Sequence, residues 1–297
     1  MSSNERPIFI RGLSRSGGTL FVTIMDAHPD ISMSYEIYPN LLASLIANPA
    51  EQKFFSRLMS SKAVFNKKYT GSRQKLRTFI ARSYRSGLTN DELLQAWNNC
   101  CKDSDRKFTD ESDCMHFIAE VARTKMAKEH KSFWGMKCTG AFEKYVEIWP
   151  EARFINIVRD GRDILASQLN AGSFNKSVEE VATAYNKGNK RFSTLMENKS
   201  FKGMNVQYER LINNSADILQ EVCDFIGVEY DSSMLNFYKK ELTIFENSMG
   251  HLSIDRISKP IDATQIGRWK SDLTTSQADD FSRIAKETLI KFGYIKE

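Results

Sequence analysis

Eight residues near the N-terminus, Gly12-Leu13-Ser14-Arg15-Ser16-Gly17-Gly18-Thr19, have the makings of an anion cradle. They follow a short apolar run, Pro7-Ile8-Phe9-Ile10, and precede a helical run over 20–27 that stops before Pro29. Small residues let successive backbone N–H groups curl around anionic oxygens at a helix N-terminus. Within the stretch 14–19, Ser16 and Thr19 add hydroxyl donors and Arg15 adds a positive charge. The spacing G-x-x-x-x-G-x-T is that of a P-loop. The position that carries lysine in nucleoside triphosphatases is Gly18, however, and no strand ending in Asp stands beside the loop. Magnesium-dependent hydrolysis of ATP or GTP is therefore disfavoured.

A second candidate lies about 140 residues later, in Val158-Arg159-Asp160-Gly161-Arg162-Asp163-Ile164-Leu165-Ala166-Ser167. Arg159 leaves the apolar run RFINIV at its C-terminal edge, where ligands sit in open α/β sheets. Ser167 is about two helical turns further on and can share a face with the start of that helix. A guanidinium fork and a hydroxyl together can hold a phosphate. Arg162 has Asp160 and Asp163 at hand as simple ion-pair partners.

Together the two motifs resemble those of the sulfotransferases that use 3′-phosphoadenosine 5′-phosphosulfate (PAPS). The loop of that family is commonly written P-R-S-G-T-T, and Ser14 and Gly18 depart from it here. Leu20 and the run Met25-Asp26-Ala27-His28-Pro29-Asp30 are most similar to the tyrosylprotein sulfotransferases and their bacterial relatives. The resemblance implies a P-loop-type three-layer α/β fold, PAPS as co-substrate and a sulfuryl transfer that needs no metal. It implies that Arg159 and Ser167 hold the 3′-phosphate of the nucleotide, and that Arg15 and Lys137 face the transferring sulfate. Glu36 matches the glutamate base of the tyrosylprotein enzymes, a role worth ~10²–10⁴-fold in rate. Tyr208, Ser253 and Arg268 match positions near the nucleotide, and Trp269 reads as packing. His28 and His251 are the competing bases.

These groups need elements to hold them. Strands are expected at 31–35, 133–137, 153–158 and 205–208, and helices at 141–149, 160–169, 216–226 and along a stripe from Val178 to Leu195. A last helix is striped by Phe281, Ile284, Ala285, Thr288 and Phe292, while 241–275 reads as irregular. Between about 41 and 131, apolar pairs recur at helical spacing, so a mostly helical insertion is expected to cover the site. One sulfotransferase domain over 1–297 accounts for the whole chain.

Composition narrows the partners. A net charge of +5 favours anionic ligands but is too dispersed for nucleic acid. Five scattered cysteines without CxxC spacing suit reduced thiols, and the four histidines do not pair with them at zinc-ligand spacing. No apolar stretch reaches membrane-spanning length, so the expected setting is cytoplasmic. That setting favours a glycan or small-molecule hydroxyl as acceptor. A protein tyrosine is the alternative, followed by a P-loop kinase or a non-catalytic nucleotide-binding module.

Overall fold

Five apolar runs pair side by side into one parallel sheet. They are β1 (Ile8–Gly12), β2 (Ile31–Ser34), β3 (Phe133–Lys137), β4 (Arg153–Val158) and β5 (Gly203–Gln207). Their order is β2-β3-β1-β4-β5, so β1 is central. Phe9 stands opposite Met136 on β3 and Phe154 on β4, and Ile157 stands opposite Val206 on β5. The computed structural model describes residues 5–60, 68–102, 108–138, 142–172, 176–242 and 254–297.

The inner strands β1, β3 and β4 read as largely apolar runs, as a parallel sheet covered on both faces requires, whereas the edge strands β2 (ISMS) and β5 (GMNVQ) are more polar. Side chains alternate between the faces. Phe9 meets Trp134, Tyr145, Trp149 and Phe154 on one side, with ring centroids 4.7–5.8 Å apart. Ile8 and Ile10 join the opposite core with Phe21 and Ile24 of α1 (Gly18–Asp26) and Leu219 and Val222 of α10 (Ser215–Ile226). Gly227 ends α10 in the left-handed conformation (φ 89°), as its placement after the apolar stripe predicts.

The helical stretch between β2 and β3 consists of α2 (Pro49–Met59), α3 (Gly71–Arg85), α4 (Asn90–Lys102) and α5 (Glu111–Lys128). Phe55, Phe79, Trp97 and Phe117 lock these four helices together edge to face. Beyond β3 come α6 (Phe142–Ile148), α7 (Gly161–Asn170), α8 (Val178–Glu197) and α9 (Tyr208–Asn213). Asp160 caps α7 by accepting from the Arg162 N–H.

Several boundaries differ from the expectation. Tyr208 does not end a strand but opens α9, because β5 begins earlier, at Gly203. The last helix is two: Thr275–Ile284 and Lys286–Lys291, broken at Ala285 (φ −95°, ψ 11°). Both sides of the break still bury an apolar stripe, so the periodicity continued while the backbone turned. Residues 254–257 and 269–272 form short helical turns within the stretch read as irregular.

Candidate active site

The C-terminal edge of every strand delivers one group to the same place. β1 runs into the glycine loop and β2 into Glu36, β3 ends on Lys137, Arg159 follows the last residue of β4, and Tyr208 opens α9 directly after β5. All of them line one cavity of about 380 Å³. Ligands of open α/β sheets sit beyond the carboxyl ends of the strands, where the strand order reverses. Here that point is β1, with β3 on one side and β4 on the other.

The loop is bent by two left-handed residues, Arg15 (φ 75°) and Gly17 (φ 93°), and is closed by the Ser16 N–H donating to the Leu13 carbonyl at 3.0 Å. Gly17 is required twice over. Its φ excludes most side chains, and a Cβ there would stand 2.4 Å from Cδ2 of Tyr208. Gly18 has another use. A Cβ would touch Cε of Lys137 at 3.4 Å, so the lysine stem lies across the bare helix start. The cation that a P-loop lysine would supply from position 18 comes instead from the neighbouring strand.

Arg159 and Ser167 line the same cavity, and Arg15 touches both. Nε of Arg15 donates to Oγ of Ser167 at 3.0 Å, and Nη1 of Arg159 donates to the Arg15 carbonyl at 3.1 Å. The two motifs thus form one contiguous cluster. The Arg159 guanidinium lies 4.7 Å over the Tyr208 ring, and its buried Nε has no acceptor. Burial, and then the nearby charges of Arg256, Arg159 and Arg268, push the Arg15 guanidinium below its ordinary proton affinity. Repulsion among Arg15, Arg159 and Arg256 on one cavity wall is relieved when an anion binds there.

Glu36 faces this cluster from across the cavity. Its backbone is left-handed (φ 56°), an uncommon state for a side-chain-bearing residue. It is held there by Nη1 of Arg82, which donates to the Glu36 carbonyl at 2.8 Å. Lys137 Nζ donates to Oε1 at 3.2 Å, while Arg85 and Arg82 approach Oε2 at 3.7 and 3.9 Å. An ionised carboxylate beside an open cavity can take a proton from a bound hydroxyl. The lysine next to it can support negative charge on a departing oxygen.

Ser14, Arg15, Gly17, Gly18, Thr19, Glu36, Lys137, Arg159, Ser167 and Tyr208 all line the cavity; Ser16 and Arg268 do not. The Ser16 hydroxyl is fully buried against Gly12, where a Cβ would come within 2.3 Å of it. Its backbone, not its side chain, remains available to the loop. Arg268 is tied to Asp272 and Gln265 by bonds of 2.7 Å each. Ser253 and His251 lie outside the described residues. His28 is buried and structural: Nδ1 accepts the Asp30 N–H at 3.0 Å, so Nε2 donates to the Glu229 carbonyl at 2.8 Å.

Sequence reasoning missed Arg82, Arg85, Arg256 and Gln265. Helix α3 did carry a signal, five basic residues and no acid in fifteen. Nothing in that pattern says that its last turn reaches a residue 46 positions earlier.

Comparison with known proteins bears on the family and the fold. The protein-tyrosine sulfotransferase 1 of Danio rerio is 22% identical over 294 residues, covering 97% of this chain and 72% of the relative. The protein-tyrosine sulfotransferase 2 of Gallus gallus is 23% identical, covering 98% and 70%. Among solved structures, the sulfotransferase domain of the Synechococcus PCC 7002 olefin synthase superposes with a TM-score of 0.61. It is 18% identical and matches 96% of this chain and 95% of that one, a likeness of fold. Residues 7–232, from the first strand to beyond α10, match the sulfotransferase family as a whole, and the chain belongs to that family.

Proposed function

We propose that the protein binds PAPS and transfers its sulfuryl group to the phenolic hydroxyl of a protein tyrosine. The observation that carries the nucleotide half is the gathering of Arg15, Arg82, Lys137, Arg159 and Arg256 in one cavity, against only Glu36 and Asp262 among the described residues. A nucleotide with a 3′-phosphate and a 5′-phosphosulfate brings the charge this surplus lacks. The Arg159 guanidinium on the cavity wall and the left-handed glycine loop fit such a ligand. The tyrosine half is supported by the relatives, named as protein-tyrosine sulfotransferases, which align along 97–98% of the chain. It replaces the glycan or small-molecule acceptor that composition alone favoured.

In this reading Glu36 takes the proton of the acceptor hydroxyl as its oxygen forms a bond to sulfur. The sulfur–oxygen bond to the 5′-phosphate breaks in line with that attack. Lys137, Arg15 and the loop N–H groups hold the charge that gathers on the leaving phosphate, with Thr19 at the helix start adding a hydroxyl. Arg159 and Ser167 grip the 3′-phosphate, so Ser167 exchanges its contact with Arg15 for one with the ligand. Arg15 is thereby released toward the sulfate. Tyr208 supports the loop and Arg159 between them. Arg82, on the cavity wall beside Glu36, gives the acceptor a cationic neighbour, which suits a peptide with an acidic residue next to its tyrosine.

Transfer from ³⁵S-labelled PAPS tests both halves. With magnesium chelated, a tyrosine peptide should take label and the same peptide with phenylalanine should not. Label on an oligosaccharide but never on the peptide overturns the tyrosine acceptor. No binding of PAPS or of 3′-phosphoadenosine 5′-phosphate (PAP) overturns the nucleotide.

A further inference from the structure

Asp163 belongs to the second motif, yet neither binding nor transfer has used it. It is fully buried, and its carboxylate is the meeting point of three parts of the site. Oδ2 accepts the Gly267 N–H at 2.8 Å, and Oδ1 accepts the Trp269 N–H at 3.0 Å. Oδ2 also lies 3.6 Å from Nη2 of Arg159. That same Nη2 donates to the carbonyl of Gln265, a residue of the cavity wall. One ring of contacts therefore runs from Arg159 through the segment 265–269 to Asp163 and back.

The second flank of the segment is fixed too. Arg162, gripped by both oxygens of Asp160 at 3.0 and 2.8 Å, lies 4.0 Å from the centre of the Trp269 ring. The start of α7 thus staples the segment at two points, one through a buried anion and one through a cation over a ring. The effect on Arg159 is specific. Nη1 and Nη2 are each spent on a backbone carbonyl, one from the glycine loop and one from the segment, which leaves the buried Nε without an acceptor. Free to turn, the guanidinium would satisfy that donor elsewhere. Held as it is, it keeps one orientation on the cavity wall.

We propose that Asp163 is a positioning residue: it locks Arg159 and the segment 265–269 into one unit, and this is what lets the site tell a nucleotide with a 3′-phosphate from one without. The proposal rests on Arg159 as the 3′-phosphate ligand. Its consequence is a selectivity that comes from a carboxylate, itself repelled by phosphate, acting through the arginine in front of it. A merely architectural Asp163 would lower stability and leave nucleotide preference alone.

The test compares PAP with adenosine 5′-phosphate by calorimetry, in the wild type and in Asp163→Asn. The wild type should prefer PAP. Asp163→Asn keeps the shape, removes the charge and turns one accepting oxygen into a donor that faces a backbone N–H, and it should weaken PAP roughly tenfold or more, by the ~1.5–3 kcal/mol of a hydrogen bond to a charged group. Adenosine 5′-phosphate should change by less than about twofold. Equal loss for both ligands, or an unchanged preference, overturns the proposal. Should Asp163→Asn not fold, Gly267→Ala decides. Its φ of 74° is strained for alanine and a Cβ meets nothing within 4 Å, so it disturbs the bonded segment while leaving the buried carboxylate intact. A selective loss of PAP affinity supports the proposal, and an unchanged ratio ends it. A wild type that binds both nucleotides equally tightly instead removes the Arg159 assignment itself.

Discussion

Replacing Gly17 by alanine should cripple nucleotide binding, whereas the same change at Gly18 should not. Alanine at φ 93° is strained by about 1–2 kcal/mol. The new methyl would also sit 2.4 Å from Cδ2 of Tyr208, so the ring must withdraw by about 1 Å to reach ordinary contact. Arg159 lies over that ring and moves with it. The free loop escapes the strain by leaving the left-handed conformation, and a ligand that needs the cradle must restore it on binding. At about 1.4 kcal/mol per factor of ten, strain alone predicts a loss of roughly 5–30-fold, and the displaced Arg159 adds to it. Gly18 has no positive φ, and its Cβ would meet only the flexible Lys137 stem at 3.4 Å. Gly18→Ala should therefore bind PAP within about threefold of the wild type, a gap of less than 1 kcal/mol. Calorimetric titration of PAP into each variant reads the difference. Wild-type affinity in Gly17→Ala, or a greater loss in Gly18→Ala, would refute the account of the loop.

Glu36→Gln should lower turnover by ~10²–10⁴-fold while PAP affinity stays within about twofold, and retained turnover would remove Glu36 as the base. Lys137→Met should lower turnover and leave the folding midpoint in place, read by single-turnover assay and thermal melting; undiminished turnover would count against its role at the leaving oxygen. His28→Gln should keep turnover near wild type, because both ring nitrogens already serve the backbone, and a collapse in the rate of the folded variant would revive it as a base. Lys125, buried between Asp26 (2.8 Å) and Glu129 (2.6 Å), is a matter of stability alone. Lys125→Met should cost about 3–5 kcal/mol in urea unfolding by leaving Asp26 buried beside a weaker partner, and a loss below about 1 kcal/mol would show that Lys131 takes over.

Much of the scaffold was legible because parallel strands advertise themselves. RFINIV and FWGMK form strands at the bounds their apolar runs gave, and the polar side chain inside RFINIV, Asn156, is buried only with Asn189 and Asn205 as hydrogen-bond partners. The two motifs were legible because each combines a strand end, a turn and a helix start with residues of one chemistry. What could not be read was orientation across long separations. Ser16 has the right type and spacing for a phosphate donor, yet its hydroxyl turns under the loop because Gly12 leaves a hole for it. Arg82 and Arg85 reach Glu36 only through the packing of α3 against the turn after β2, and no periodicity encodes that pairing. Arg268 looked like a ligand by its place in the chain, but Asp272 one helical turn on claims it.

The grip of α3 on Glu36 has a bearing on how such a protein can change. One helix supplies Arg82 to the cavity wall and with the same side chain clamps the carbonyl of the group proposed to deprotonate the acceptor. Swapping that helix to admit a different acceptor would disturb the reactive carboxylate in the same stroke. Descendants with new tastes must therefore either keep the last turn of the helix or find another clamp, and selectivity and reactivity are inherited as a single unit.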